Sequence, residues 1–209
     1  MIQTENLTFR YSKKGPLFSF PNINLNTIDN ALVLGKSGIG KTTLLHLMAG
    51  LLKPITGTVT IDQVELHGLP HNDLDIFRGQ NIGLVFQNKH AIASLTVLEN
   101  IQIRLLFSKK HKNKSSIDSL LDDLGLLELK KHKTSELSQG QLQRLGIALA
   151  VIHNPQVILA DEPTSSLDDQ NCKIVIELLV AQARNTNANL IVITHDHRIK
   201  SYFQNSIVL

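Results

Sequence analysis

One stretch limits what this chain can fold into more than any other. Gly35-Lys36-Ser37-Gly38-Ile39-Gly40-Lys41-Thr42 reads G-x-x-x-x-G-K-T, and Thr43 follows it. Ala31–Leu34 before it is a short apolar run, suited to a buried strand. Thr42–Ala49 after it reads as a helix, with Gly50 as its stop. Strand, glycine-rich turn and helix start together make a cradle for phosphate. Glycines let successive N–H groups curl inward toward oxygen, and the helix N-terminus adds its dipole at the same place. Lys41 supplies a point charge for β- and γ-phosphates, and the Thr42 hydroxyl is a hard oxygen ligand for Mg²⁺. With glycine near 7% of residues, chance occurrence of this pattern is on the order of 1%.

The 209 residues, 42% hydrophobic and 19% charged, suffice for one domain with a full core. Net charge is +3, and much of it is local, in Lys109-Lys110-His111-Lys112-Asn113-Lys114. Such a run suits an anionic partner, nucleic acid or lipid headgroup, but reads first as a solvated loop between helices. The single cysteine, Cys172, excludes an internal disulfide and fits a reducing compartment. It falls on an apolar helical face, as a small core residue would. Polar residues appear at once at the start, so no secretory leader is expected. No run approaches the ~18 apolar residues of a membrane span, so a membrane role is expected to come through a partner.

Along the chain, Ile2–Phe9 reads as an edge strand and Phe18–Leu25 as a second extended piece. Thr58–Ile61 and Val64–Leu66 suggest a hairpin, and Ile82–Phe86 a further strand ending at Gln87. The middle is helical. Thr96-Val97-Leu98-Glu99 is a capping box, Ser116–Leu124 a helix ended by Gly125, and Leu126–Glu136 a helix or irregular link. Ser138-Gln139-Gly140-Gln141 is a second capping box, opening a helix that Asn154-Pro155 breaks. The last third returns to strand, helix, strand: Val157–Ala160, a helix capped by Asp168 or Asp169 and running to about Arg184, and Leu190–Thr194. Ile207–Leu209 closes the chain as a short strand. The fold class expected is α/β, with a parallel sheet, an antiparallel lobe at the start and an inserted helical lobe over about 88–153.

Asp161-Glu162 ends the strand Val157–Ala160, and ligands gather at the carboxyl ends of parallel strands. Asp161 then suits Mg²⁺, and Glu162 can polarise an attacking water as general base. His195 ends Leu190–Thr194 in the same way and can orient that water. The Gln87 amide oxygen can touch metal or water. Ser138–Gln141 is a second phosphate-facing helix end that one nucleotide does not need. Two chains arranged head to tail would use both.

Taken together, these motifs resemble the ATP-binding cassette (ABC) ATPases along essentially the whole chain. The resemblance implies Walker A at Gly35–Thr43, and Walker B with the catalytic glutamate at Val157–Glu162. It implies the signature at Leu137–Gln141, the Q-loop at Val85–Gln87, the D-loop at Ser166–Asp168 and the switch histidine at Thr194–Asp196. It places Tyr11 where the family stacks an aromatic ring on adenine. Arg78–Gln87 and Leu95–Ile101 are similar to the lipoprotein-release, macrolide-export and cell-division branch. That implies an ATPase using ATP and Mg²⁺, paired with a second copy. It would drive an integral-membrane permease and lie at the inner face of the cell membrane through that partner. The chain would be a minimal cassette, a single domain over 1–209. A soluble cassette acting on nucleic acid or ribosomes is the alternative. Two positions depart from the pattern: Gln139 replaces the first signature glycine, which implies slower turnover, and Leu149 stands where the family usually has arginine.

Overall fold

The computed structural model describes residues 1–86, 91–165 and 167–209. In chain order the elements are β1 (Ile2–Phe9), β2 (Phe18–Ser19), β3 (Ile23–Leu25), β4 (Asn30–Leu34), α1 (Lys41–Met48), β5 (Thr56–Ile61), β6 (Val64–Glu65), α2 (His71–Asn81) and β7 (Ile82–Val85). There follow α3 (Val97–Ser108), α4 (Lys114–Asp123), α5 (Gln139–Val151), β8 (Val157–Asp161), α6 (Asp169–Asn185), β9 (Asn189–Thr194) and β10 (Asn205–Val208). The α/β class expected from the sequence is the one observed, with an antiparallel sheet and a parallel sheet.

The parallel sheet runs β10-β4-β9-β8-β7. Every residue of β8 and β9 is buried, as continuous apolar strands covered on both faces should be. Alternation then sorts side chains between two cores. Leu32, Ile158, Leu190 and Val192 face the helices α5 and α6, meeting Leu145, Ile147, Val175 and Leu179. Val33, Leu159, Ile191 and Ile193 face α1 and the antiparallel sheet, meeting Leu44, Leu45, Val59 and Ile61.

The antiparallel sheet corrects two expectations. β1 is not an edge: β2 and β3 pair with one side of it and β5 with the other. Its alternation is loose because the register slips between Glu5 and Thr8, where Asn6 takes a φ of 50°. The extended piece Phe18–Leu25 is two short strands, both on β1. α2 gave no sequence signal. It follows Pro70, it buries only Leu74 fully, and Ile76 points outward. Both capping boxes formed: Thr96 with Glu99, and Ser138 with Gln141. Asp168 is the cap of α6, accepting from the Asn171 N–H. Leu126–Glu136 is irregular, with two single 3₁₀ turns.

A buried polar knot ties α3 to its neighbours. The Arg104 guanidinium donates to the carbonyls of Gly79, Ile82 and Leu149, and to His153 Nε2 at 2.9 Å. A guanidinium only donates, so Nε2 must keep its lone pair. Burial, then the Arg104 charge, push the His153 imidazole down to about 3. The native state therefore excludes a proton that the unfolded chain takes up near pH 6.5. Stability from this group is full above that value and declines as pH falls toward 3. Between pH 7 and pH 5 the loss is about 2 kcal/mol. Urea unfolding at the two pH values should show it. His153→Gln, which keeps an acceptor for Arg104, should remove about that much of the difference, and an unchanged difference would refute the assignment.

Candidate active site

The site exists because three strand ends lie in register. Leu34 of β4 pairs with Thr194 of β9, and Asp161 of β8 pairs with Ile193. Gly35, His195 and Glu162 therefore leave the sheet side by side. The cleft they bound holds about 290 Å³ and is lined by Tyr11, Ser37, Lys41, Thr42, Glu162 and His195, among others.

Lys41, the first residue of α1, is buried, and its Nζ donates to the carbonyls of Gly35 (2.8 Å) and Lys36 (3.2 Å). The loop thus wraps its own lysine. Gly40 precedes the helix at φ 108°, and a Cβ there would lie 2.9 Å from Phe18 Cδ1. Only glycine satisfies both conditions. Phe18 lines the cleft and stacks on Phe20 with ring centroids 6.3 Å apart. The antiparallel sheet thereby braces the loop, a support that the sequence reading did not contain. Tyr11 stands at the rim, 65% exposed, its hydroxyl sharing a 2.9 Å hydrogen bond with Thr43 Oγ1 and its ring edge-on to Phe9 and Phe18.

Glu162 sits at φ 48°, a left-handed conformation that its N–H bond to the Ile193 carbonyl holds. Its Oε2 accepts from the Thr194 hydroxyl at 2.7 Å, and its Oε1 lies 2.9 Å from His195 Nδ1 and 3.4 Å from Lys41 Nζ. Burial raises this carboxyl. The hydrogen bonds from His195 and Thr194, with the charges of His195 and Lys41, outweigh that and hold it below the usual carboxylate range. Asp161 moves the other way. Burial raises its carboxyl, the neighbouring Glu162 adds to that, and a Thr42 hydrogen bond opposes it. Its Oδ1 is buried with no hydrogen-bond partner among the described residues. An orphaned carboxylate oxygen beside a threonine hydroxyl is a donor pair of the hard kind that Mg²⁺ takes. Among the described residues no group of three or more His, Cys, Asp or Glu could hold a metal.

Asp196, one residue past His195, anchors the site from behind. It accepts from the Thr164 hydroxyl and from Arg198, and Arg198 reaches on to Asp169 and the Leu167 carbonyl. The sequence offered no means of pairing residues so far apart along the chain.

Gln87, and with it Asn88–His90, lies outside the described residues, as does Ser166 of the expected D-loop. Ser138–Gln141 opens α5, and none of the four lines the cleft. Ser138 Oγ accepts from the Gln141 N–H, and Gln141 Oε1 accepts from the Ser138 N–H.

A Gly-rich cradle with a wrapped lysine, facing two strand-end carboxylates and a histidine, defines a phosphate-loop nucleotide hydrolase. The sequence pattern of the ABC transporter family matches residues 21–165, and this chain belongs to that family. It is 38% identical over 203 residues to the lipoprotein-releasing system ATP-binding protein LolD of Buchnera aphidicola, covering 95% of this chain and 89% of that one. It is 34% identical to the ABC transporter ATP-binding protein YtrE of Bacillus subtilis, covering 96% and 91%. Its structure matches the ATP-binding cassette MJ0796, solved as a dimer in a post-hydrolysis state bound to ADP and Pi. The TM-score is 0.88 and the identity 31%, over 100% of this chain and 94% of that one. Among the described residues no helix is long and apolar enough to cross a membrane.

Proposed function

We propose that this chain is the ATP-hydrolysing subunit of an ABC transporter or mechanotransmission complex, working as a head-to-tail pair. Gly140 carries the reading. It is the second residue of α5, and among the described residues a Cβ built there would meet only Asn171 Oδ1, at 3.7 Å, so the space in front of this helix start is open. An open helix N-terminus suits the γ-phosphate of a nucleotide seated on a second copy's Gly35–Thr43. The Ser138 oxygen already accepts from Gln141, which leaves its proton to donate to that phosphate.

In each composite site Gly35–Thr43 holds the phosphates and Tyr11 meets the base. Mg²⁺ would be held by Thr42 and Asp161, with Gln87 as a third oxygen, and when bound it neutralises charge on the phosphates. Glu162 takes a proton from the attacking water. The Thr194 hydroxyl and His195 aim its carboxylate. Ser138, Gly140 and Gln141 close the far side. Gln139 in place of glycine makes that closure slower. Closing the pair would move the helical lobe, about residues 88–153. A groove of about 350 Å³ between α2, β7, α3 and α5, lined in part by Phe86, Ala91, Leu142 and Leu149, suits a permease segment. The subunit would then lie on the cytoplasmic face of the membrane, held by that permease. Likeness to LolD favours the lipoprotein-release branch.

The test places Gly140→Asp in a Glu162→Gln background. Glu162→Gln alone should form an ATP-dependent dimer by light scattering. The double variant should stay monomeric while binding ATP and melting as before. ATP-dependent dimers of the double variant would remove Ser138–Gln141 from the site.

A further inference from the structure

We infer that the C-terminal end of α3 and the lysines behind it form a direct contact with anionic phospholipid headgroups. Leu106 and Phe107 are 72% and 73% exposed, two large apolar side chains side by side. Ile103, Leu106 and Phe107 fall at helical spacing on one face of α3. The helix ends in a built turn. The Lys109 N–H bonds the Leu106 carbonyl, the Lys110 N–H bonds the Leu105 carbonyl, and Lys109 takes a φ of 53°. That turn throws Lys109 and Lys110 out directly beside the apolar pair, with His111 and Lys114 following, all exposed. From Asn100 to Ile117 there is no aspartate or glutamate. Lys109, Lys110 and Lys114 form no ion pair among the described residues. Lys112 is different: half-buried, it shares a hollow with Asp123 and is left out of the surface.

Apolar side chains flanked by unpaired lysines match the headgroup layer, where rings and aliphatic chains sink to the acyl boundary and ammonium groups stay among phosphates. Nucleic acid fits less well, because Leu106 offers no ring to stack on bases and the cations are lysines. Position agrees. A Cβ on Gly79 would lie 3.1 Å from the Phe107 carbonyl, and Arg104 bonds the Gly79 carbonyl, so this end of α3 abuts the rim of the groove assigned to the permease. The lipid contact rests on that reading only for its location.

The test is co-sedimentation of the full chain, without any permease, with vesicles of phosphatidylglycerol or of phosphatidylcholine. Binding to the anionic vesicles alone, released by high salt, is expected. Lys109→Gly, Lys110→Gln and Lys114→Gln together should weaken it about a hundredfold. Leu106→Gln with Phe107→Gln should weaken it by about tenfold. Both variants should hydrolyse ATP like the parent. Equal binding to phosphatidylcholine, indifference to the lysine substitutions, or retention of RNA in place of vesicles would each overturn the inference. Because ATP turnover is followed in the same samples, failure of the lipid contact is distinguishable from failure of the ATPase reading.

Discussion

Glu162→Gln should bind ATP and fail to turn it over. The carboxamide keeps the shape, its single oxygen can still accept from Thr194 while its NH2 faces His195 Nδ1, and it no longer takes a proton from water at neutral pH. General-base contributions run to roughly 10²–10⁴-fold, and the turnover rate should fall by that factor. Affinity for ATP should hold or rise, because a buried negative charge 3.4 Å from Lys41 is gone. Phosphate release and equilibrium nucleotide binding measured on one preparation separate the two effects. Full turnover by the variant would remove Glu162 from the role.

Lys41→Ala should act on the other quantity. Its ammonium is buried and held by two loop carbonyls, so the loop shape and the charge are lost together. A hydrogen bond to a charged group is worth about 1.5–3 kcal/mol, which corresponds to a loss of roughly ten- to more than a hundredfold in nucleotide affinity. Titration with a fluorescent ATP analogue reads this directly. Lys41→Arg should not restore it, since the planar fork cannot occupy the space of a single ammonium wrapped by the loop. Unchanged affinity in Lys41→Ala would remove Gly35–Thr43 from nucleotide binding.

What the sequence disclosed about this molecule was whatever is written locally. Capping boxes need only four adjacent residues, so Thr96 and Ser138 were legible. Apolar runs of four or five marked β4, β8 and β9, and the residue after each run could be named as a site residue without knowing the register. The register itself was not visible. That Leu34 ends level with Thr194, and Asp161 with Ile193, is a property of strand pairing between residues 160 and 32 positions apart. Phe18 beneath Gly40, and Arg198 on Asp196 behind His195, were out of reach for another reason: both depend on how side chains pack once the elements are in place. α2 was lost to weak periodicity, and β1 was misplaced because its bulge disturbs the alternation by which interior strands are recognised. Gly140 lay between these cases. The sequence showed a glycine at a helix start, and the structure shows that among the described residues no neighbour requires it.

The 3.4 Å pairing of Lys41 with Glu162 works as an interlock. The group proposed to anchor phosphate and the group proposed to activate water hold one another, both nearly shut off from solvent. An arriving polyphosphate competes for the lysine with more negative charge than one carboxylate offers. Seating the substrate would then draw Lys41 away from Glu162 while Thr194 and His195 keep the carboxylate aimed. Loading and arming would be one electrostatic event, with no separate signal passed between them.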